Sequence, residues 1–172
     1  MRGIKLLFVV ITVIAMVGCS QEVAQKEARQ YSTEAAEEGN EQLRSAGKGI
    51  HGNLINELEN AFKDKGIVLT NERYFDDNES AMIYKYQIEQ NHELFIEAYF
   101  FNNEQDQEHV LNELNLPPGK TETDDQLKEV FHNGNLALVY RSAGESKGKY
   151  HEEASQILSQ FVNNRGEAGT GQ

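Results

Sequence analysis

The sequence predicts an α+β fold: a single antiparallel sheet of about five strands with helices packed on it. Three observations support this class. Apolar residues at helical spacing begin and end the region 50–164, five runs between them favour strands, and the connections between those runs are short. Short connections make neighbouring strands antiparallel, so we expect one α+β domain over 50–164 with the order α-β-β-β-α-β-β-α.

The first half of this domain is predicted to hold one helix and three strands. The helix follows Asn53, a good N-cap residue, and ends at Gly66. Its apolar positions recur at helical spacing: Leu54, Ile55, Leu58, Ala61 and Phe62. The strands are predicted over 67–75, 81–88 and 92–101, with a hairpin between the last two around Gln90-Asn91.

The second half is predicted to add a helix, a hairpin and a final helix. A short helix covers about 104–114, and Pro117-Pro118-Gly119 then breaks the chain. Strands over 128–132 and 135–141 flank Asn133-Gly134, which predicts a type I′ turn. The last helix, about 149–162, has one apolar face, and residues 165–172 are expected to form a disordered tail.

The extreme N-terminus has the proportions of a signal peptide. Arg2 and Lys5 precede an uncharged apolar run over residues 6–18. As a helix this run would reach only about 20 Å, which is short of the roughly 30 Å hydrocarbon core of a bilayer. We therefore expect residues 1–18 to be a signal peptide.

The end of that run resembles the lipobox of bacterial lipoproteins. Met16-Val17-Gly18-Cys19 matches its pattern of an aliphatic residue, a small or aliphatic residue, Gly or Ala, and Cys, with Met16 where Leu is usual. The chain is in this respect similar to small exported lipoproteins of Gram-positive bacteria, and the resemblance covers residues 1–19 only. It implies diacylglycerol on the Cys19 thiol, cleavage between Gly18 and Cys19, and anchoring at the extracytoplasmic face of the cell membrane. Cys19 is the single cysteine, so no disulfide forms within the chain.

The charge of the chain bears on its partners. Residues 19–49 are polar and are expected to form a flexible tether. The net charge is −12, and because the first 49 residues balance, the excess of acids falls on the domain. An acidic surface repels phosphate backbones, so we expect no nucleic-acid partner. It leaves a cationic partner or cation binding open.

Common catalytic and metal-binding motifs are missing from the sequence. It has no G-x-S-x-G elbow, and its five histidines are scattered without metal-ligand spacing. Asp76-Asp77-Asn78-Glu79 lacks the alternating ligands of a Ca²⁺ loop. We therefore assign no catalytic residue and expect neither a metal nor a cofactor.

The predicted strands are rich in aromatic residues. Phe95, Tyr99 and Phe101 share the face of their strand opposite Leu94, Ile96, Ala98 and Phe100. If helices cover only the other face, these three aromatics form a possible partner surface; otherwise they pack in the core. The leading hypothesis is a non-catalytic interaction module that binds an envelope protein or a cell-wall component. The alternatives are a small-ligand or cation-binding lipoprotein and a carboxylate-dependent hydrolase of wall polymers.

Overall fold

The computed structural model describes residues 37–38, 40–77 and 80–166, and it confirms the α+β class. The described helices are α1 (Glu41–Ser45), α2 (Gly52–Asp64), α3 (Glu104–Glu113) and α4 (His151–Gly166), with a 3₁₀ turn at Gly144–Ser146. The strands are β1 (Leu69–Asp77), β2 (Ala81–Ile88), β3 (Asn91–Phe101), β4 (Gly119–Glu122), β5 (Gln126–Asn133) and β6 (Leu136–Ala143). They form one antiparallel sheet in the order β1-β2-β3-β6-β5-β4.

The sheet has six strands, so the expected number of about five is corrected by one. The additional strand is β4, which follows Pro117-Pro118 and pairs with β5 at the edge of the sheet. All four of its residues are exposed. A strand that buries neither face has no reason to alternate apolar and polar residues, so periodicity could not reveal it.

Both predicted hairpins form, but their turns differ from the prediction. The β5–β6 turn consists of Gly134 and Asn135, and of these two only Gly134 has a positive φ, of 57°. This matches a type II′ turn, which needs glycine at its first central position, rather than type I′. The β2–β3 turn has Glu89 and Gln90 at its centre, one residue earlier than predicted, with φ values of 52° and 59°.

The described residues fall into two units that divide between Asn56 and Glu57, within α2. In the first unit, α1 is capped by Asn40, whose side chain accepts hydrogen bonds from the Gln42 and Leu43 amides. This part of the predicted tether therefore has regular structure. The predicted signal peptide, Gly18, Cys19 and most of the tether lie outside the described residues. At the other end α4 reaches Gly166, four residues beyond the predicted end at 162.

The two faces of the sheet are covered differently. The first face includes Leu94, Ile96, Ala98 and Phe100, all buried, and α4 packs on β5 and β6. The second face is covered at one end by α3 and Leu116. The core there consists of Ala81, Tyr99, Phe101, Leu111, Leu116, Val130, Ala137 and Val139, with Ile83 and Val110 packed against it. The other end of the second face, around Phe95 and Glu97, carries the candidate site.

Candidate binding site

The strand register gathers basic side chains at this end of the second face. In one row across the sheet, Arg73 pairs with Lys85 and Lys85 pairs with Glu97. In the next row, Phe95 pairs with Arg141 and Arg141 pairs with Lys128. Because directly paired residues point to the same face, these side chains all lie on the second face, each beside its cross-strand partner. We call Arg73, Lys85, Lys128 and Arg141 the cationic surface.

A buried carboxylate lies at the centre of the cationic surface. The Glu97 side chain is only 5% exposed, and both of its oxygens are used. Lys85 Nζ lies 2.9 Å from Oε1, while Arg141 Nε lies 2.9 Å from Oε2. The Tyr99 hydroxyl donates to Oε2 at 2.9 Å. Glu97 therefore holds two cationic side chains from different strands in fixed positions.

The electrostatics of this cluster keep Glu97 ionised. Burial opposes ionisation and is the largest single influence on this carboxyl group. The Arg141 charge, together with the hydrogen bonds and charge of Lys85 and the Tyr99 hydroxyl, outweighs burial and holds the pKa of Glu97 below its ordinary value of 4.5. Burial and the adjacent carboxylate raise the pKa of Tyr99, which therefore stays protonated and donates.

Lys85 and Arg141 also remain accessible. Each side chain is 34% exposed although each contacts a buried acid. Lys85 Nζ in addition lies 4.2 Å from the centre of the Phe95 ring, a cation–π arrangement. Lys128 completes the row: burial and the nearby Arg141 charge lower its pKa. In these two rows four cations accompany one acid, so their summed charge is positive although the whole protein is acidic.

A cleft of about 150 Å³ opens beside Lys85 and Phe95. It is lined by Asn71, Arg73, Lys85, Tyr86, Gln87 and Phe95. The Asn71 amide donates to Gln87 Oε1 at 2.5 Å, which links β1 to β2 along the cleft. Two cations, two amides and two aromatic residues therefore surround one small concave space.

The strands are irregular around this cleft. In β1 the two residues Asn71 and Glu72 lie opposite Tyr86 alone, which is a β-bulge, and Asn71 has a φ of 53°. In β3, residues 92–94 have no counterpart in β2, because Ile88 pairs with Asn91 and Gln87 with Phe95. Bulges and positive φ angles at residues other than glycine are enriched at functional sites.

The structure separates the three aromatic residues that the sequence grouped. Phe95, Tyr99 and Phe101 do lie on one face, but Tyr99 and Phe101 are 5% and 2% exposed beneath α3. Their rings stack with centroids 6.1 Å apart. A partner surface formed by all three aromatics is therefore wrong for this structure, because α3 and Leu116 cover two of them. Phe95 alone stays partly exposed, beside the cleft.

A second polar cluster, between β5 and α4, contains the side chains found in hydrolases. The Glu129 carboxylate oxygen Oε2 lies 2.9 Å from His151 Nε2 and accepts from the Ser155 hydroxyl at 2.5 Å. A nucleophilic serine needs the imidazole as its direct hydrogen-bond partner. Here the carboxylate lies between the two, so the arrangement ties α4 to the sheet.

Among the described residues no cluster of His, Cys, Asp and Glu could hold a metal ion.

Comparison with protein-family models, with curated proteins and with solved structures finds no match to this chain. A role for the candidate site is therefore supported by the geometry of the site alone.

Sequence reasoning missed the cationic surface. Its members lie on four strands, and only the strand order brings them together. One signal was available: Glu97 interrupts an apolar stretch of β3, where an unpaired charge would be costly. Such a residue predicts a basic partner on a neighbouring strand, although not which one.

In the described part of the chain, no helix has the length and apolar character that a membrane span requires.

Proposed function

We propose that this protein is a membrane-anchored, non-catalytic interaction module of the cell envelope that binds an acidic partner through the cationic surface. The lipid anchor is inferred from Met16-Val17-Gly18-Cys19. The observation that carries the binding role is the presence of Arg73, Lys85, Lys128 and Arg141 on the second face, at the end that α3 and Leu116 do not cover in the described part of the chain.

The charge distribution supports an acidic rather than a basic partner. The whole chain has a net charge of −12, so a cluster of four cations is not the random consequence of a basic composition. Arginine and lysine at a partly buried, aromatic-lined surface are typical of sites that recognise carboxylates and phosphates. Their attachment to Glu97 fixes two of the cations before binding, and this lowers the entropy lost on association.

A binding measurement with defined peptides tests this proposal. The full-length chain, purified in detergent, is titrated with a fluorescein-labelled peptide of alternating Glu and Ala, and separately with its Gln–Ala counterpart. We expect the acidic peptide to bind and the neutral one not to bind. The double variant Arg73→Gln/Lys128→Gln is expected to weaken binding about tenfold or more, as loss of two charge-assisted contacts implies.

The control changes the same charge at another place. Lys63→Gln/Lys65→Gln removes two exposed cations at the C-terminal end of α2. This variant should keep the wild-type affinity for the acidic peptide. Equal losses in both double variants would show that only total charge matters, and the cationic surface would then not be the binding site.

The anchor is tested separately by mass spectrometry of the protein from membranes. We expect a mature chain that begins at Cys19, lacks residues 1–18 and carries the mass of a diacylglycerol group. In Cys19→Ala the precursor mass should remain. An unmodified Cys19 in the wild-type membrane form would contradict the anchoring part of the proposal and leave the binding part intact.

A further inference from the structure

We propose that the cleft between β1, β2 and β3 is the pocket for a single carboxylate with an apolar stem, supplied by a glutamate side chain of the partner. This inference rests on the proposed function, since it names the group that the acidic partner inserts. The cleft is distinct from the remainder of the cationic surface because it is concave and combines cations with an aromatic wall.

The charged wall of the cleft selects an anion. Arg73 and Lys85 both line it and are direct cross-strand partners. Lys85 is held at 2.9 Å by Glu97 Oε1 and lies over the Phe95 ring, so its ammonium group is already positioned. An ammonium group has three N–H donors, and the contact with Glu97 engages one of them directly. Arg73 is exposed and offers a planar guanidinium that matches a carboxylate in geometry.

The aromatic wall selects the part of the ligand that carries the anionic group. The Phe95 ring forms one side of the cleft, and a ring contributes favourably only when it covers apolar atoms of the ligand. Glutamate has two methylene groups next to its carboxylate and can satisfy the cations and the ring together. Inorganic phosphate is strongly hydrated and has no apolar part, so it leaves the aromatic wall unused.

The volume of the cleft agrees with one side chain. A cavity of about 150 Å³ is large enough to hold a small molecule about the size of benzene. That space admits a carboxylate with its short stem but not a folded segment or a sugar chain. One wall of the cleft includes Asn71, which lies in the β-bulge of β1. Its side chain is held by a hydrogen bond of 2.5 Å to the Gln87 side chain.

Competition against the labelled Glu–Ala peptide tests the pocket. The competitors are N-acetyl-glutamate amide, which has one side-chain carboxylate, N-acetyl-glutamine amide, which has none, and inorganic phosphate, all at equal ionic strength. We expect only the glutamate compound to displace the peptide, at millimolar concentration. Phe95→Ala should raise the concentration of glutamate compound needed by about fivefold or more, as loss of a partly buried aromatic contact implies. Phe75→Ala, which removes an exposed ring of β1 that does not line the cleft, should leave that concentration unchanged.

The outcomes separate the pocket from the proposed function. Displacement by phosphate but not by the glutamate compound overturns the carboxylate assignment. Equal displacement by both, or displacement by the glutamate compound that Phe95→Ala leaves unchanged, removes the role of the aromatic wall and also overturns the inference. If no small competitor acts while the acidic peptide still binds and depends on Arg73 and Lys128, the pocket is wrong and the interaction surface stands. If the acidic peptide itself does not bind, the proposed function fails.

Discussion

Glu97 occupies a position where an apolar residue would be expected. On the same face of the sheet its cross-strand partner on β6 is the buried Val139, and Tyr99 follows it on β3. A charge in this place costs desolvation, which Lys85 and Arg141 offset because each contacts a different carboxylate oxygen. An apolar residue here would remove the group that positions both cations. The buried Glu97 is therefore explained by its contacts with Lys85 and Arg141, which it holds in place.

The first prediction concerns the contribution of Glu97 to stability. Glu97→Gln should lower the free energy of unfolding at pH 7 by about 2 kcal/mol, the usual effect of losing buried hydrogen bonds to a charged group. The pKa of Glu97 is lowered in the folded state, so its contribution is complete above the unfolded value near 4.5 and is lost as the pH falls through the folded value. Urea unfolding at a series of pH values measures this difference between wild type and variant.

The control for this prediction is an exposed acid. Glu113→Gln removes a carboxylate whose side chain is 65% exposed and whose partner is His109 at the surface. It should change stability by less than about 0.5 kcal/mol. A difference between wild type and Glu97→Gln that stays constant from pH 7 down to the lowest pH at which both proteins remain folded would show that the charge of Glu97 is not what stabilises the fold.

At the scale of the elements, the β2–β3 hairpin adopts a turn that its residues do not favour. Glu89 and Gln90 both have a positive φ angle, which residues with a Cβ atom rarely adopt. Tertiary hydrogen bonds support the turn: the Gln90 amide donates to Thr70 Oγ1 at 2.9 Å, and the Tyr150 hydroxyl donates to Glu89 at 2.6 Å. Hydrogen bonds with residues outside the turn therefore stabilise its conformation.

The second prediction follows from that conformation. Gln90→Gly should raise the free energy of unfolding by about 0.5–1 kcal/mol, because relief of the left-handed conformation exceeds the entropy cost of glycine. Gln156→Gly, at an exposed position inside α4, should instead lower it by about 1 kcal/mol. Thermal and urea unfolding of the two variants give the comparison. A loss of stability in Gln90→Gly would mean that the Gln90 side chain itself stabilises the turn.

The third prediction concerns α3, which covers part of the second face. Leu111 is 7% exposed and belongs to the core on that face, whereas Leu114, at the end of the same helix, is 44% exposed. Leu111→Ala should destabilise the protein by about 2–4 kcal/mol, and Leu114→Ala by less than about 1 kcal/mol. Urea unfolding measures both. Similar losses would show that α3 does not seal this core as described.

What the sequence could predict follows from these elements. Periodicity located both long helices and five of the six strands. It missed β4, whose residues are all exposed, and it placed the β2–β3 turn one residue late because Glu89 and Gln90 give no turn signal. The grouping of Phe95, Tyr99 and Phe101 on one face was correct, because alternation along a strand is local. Which of them α3 covers depends on packing between distant segments, which periodicity does not contain.

At the scale of the whole molecule, local and total charge have opposite signs. The chain has a net charge of −12, but the cationic surface gathers four basic residues around one acid. An acidic partner is therefore repelled at long range and attracted only when it is close. Long-range interactions are screened over about 10 Å at 0.1 M salt, whereas contacts at about 3 Å are screened much less.

The fourth prediction is a salt dependence of unusual sign. For oppositely charged partners the association rate normally falls as salt is added. Here the acidic Glu–Ala peptide should associate about twofold or more faster at 150 mM than at 10 mM salt, because screening removes the long-range repulsion before it weakens the contacts. Dissociation should also become faster, since the contacts are charge-assisted. Stopped-flow anisotropy measures both rates, with the neutral Gln–Ala peptide as the reference for non-specific signal. An association rate that falls steeply with salt would mean that the field of the cationic surface extends beyond that of the acidic remainder, and the surface would then attract its partner from a distance as well as hold it.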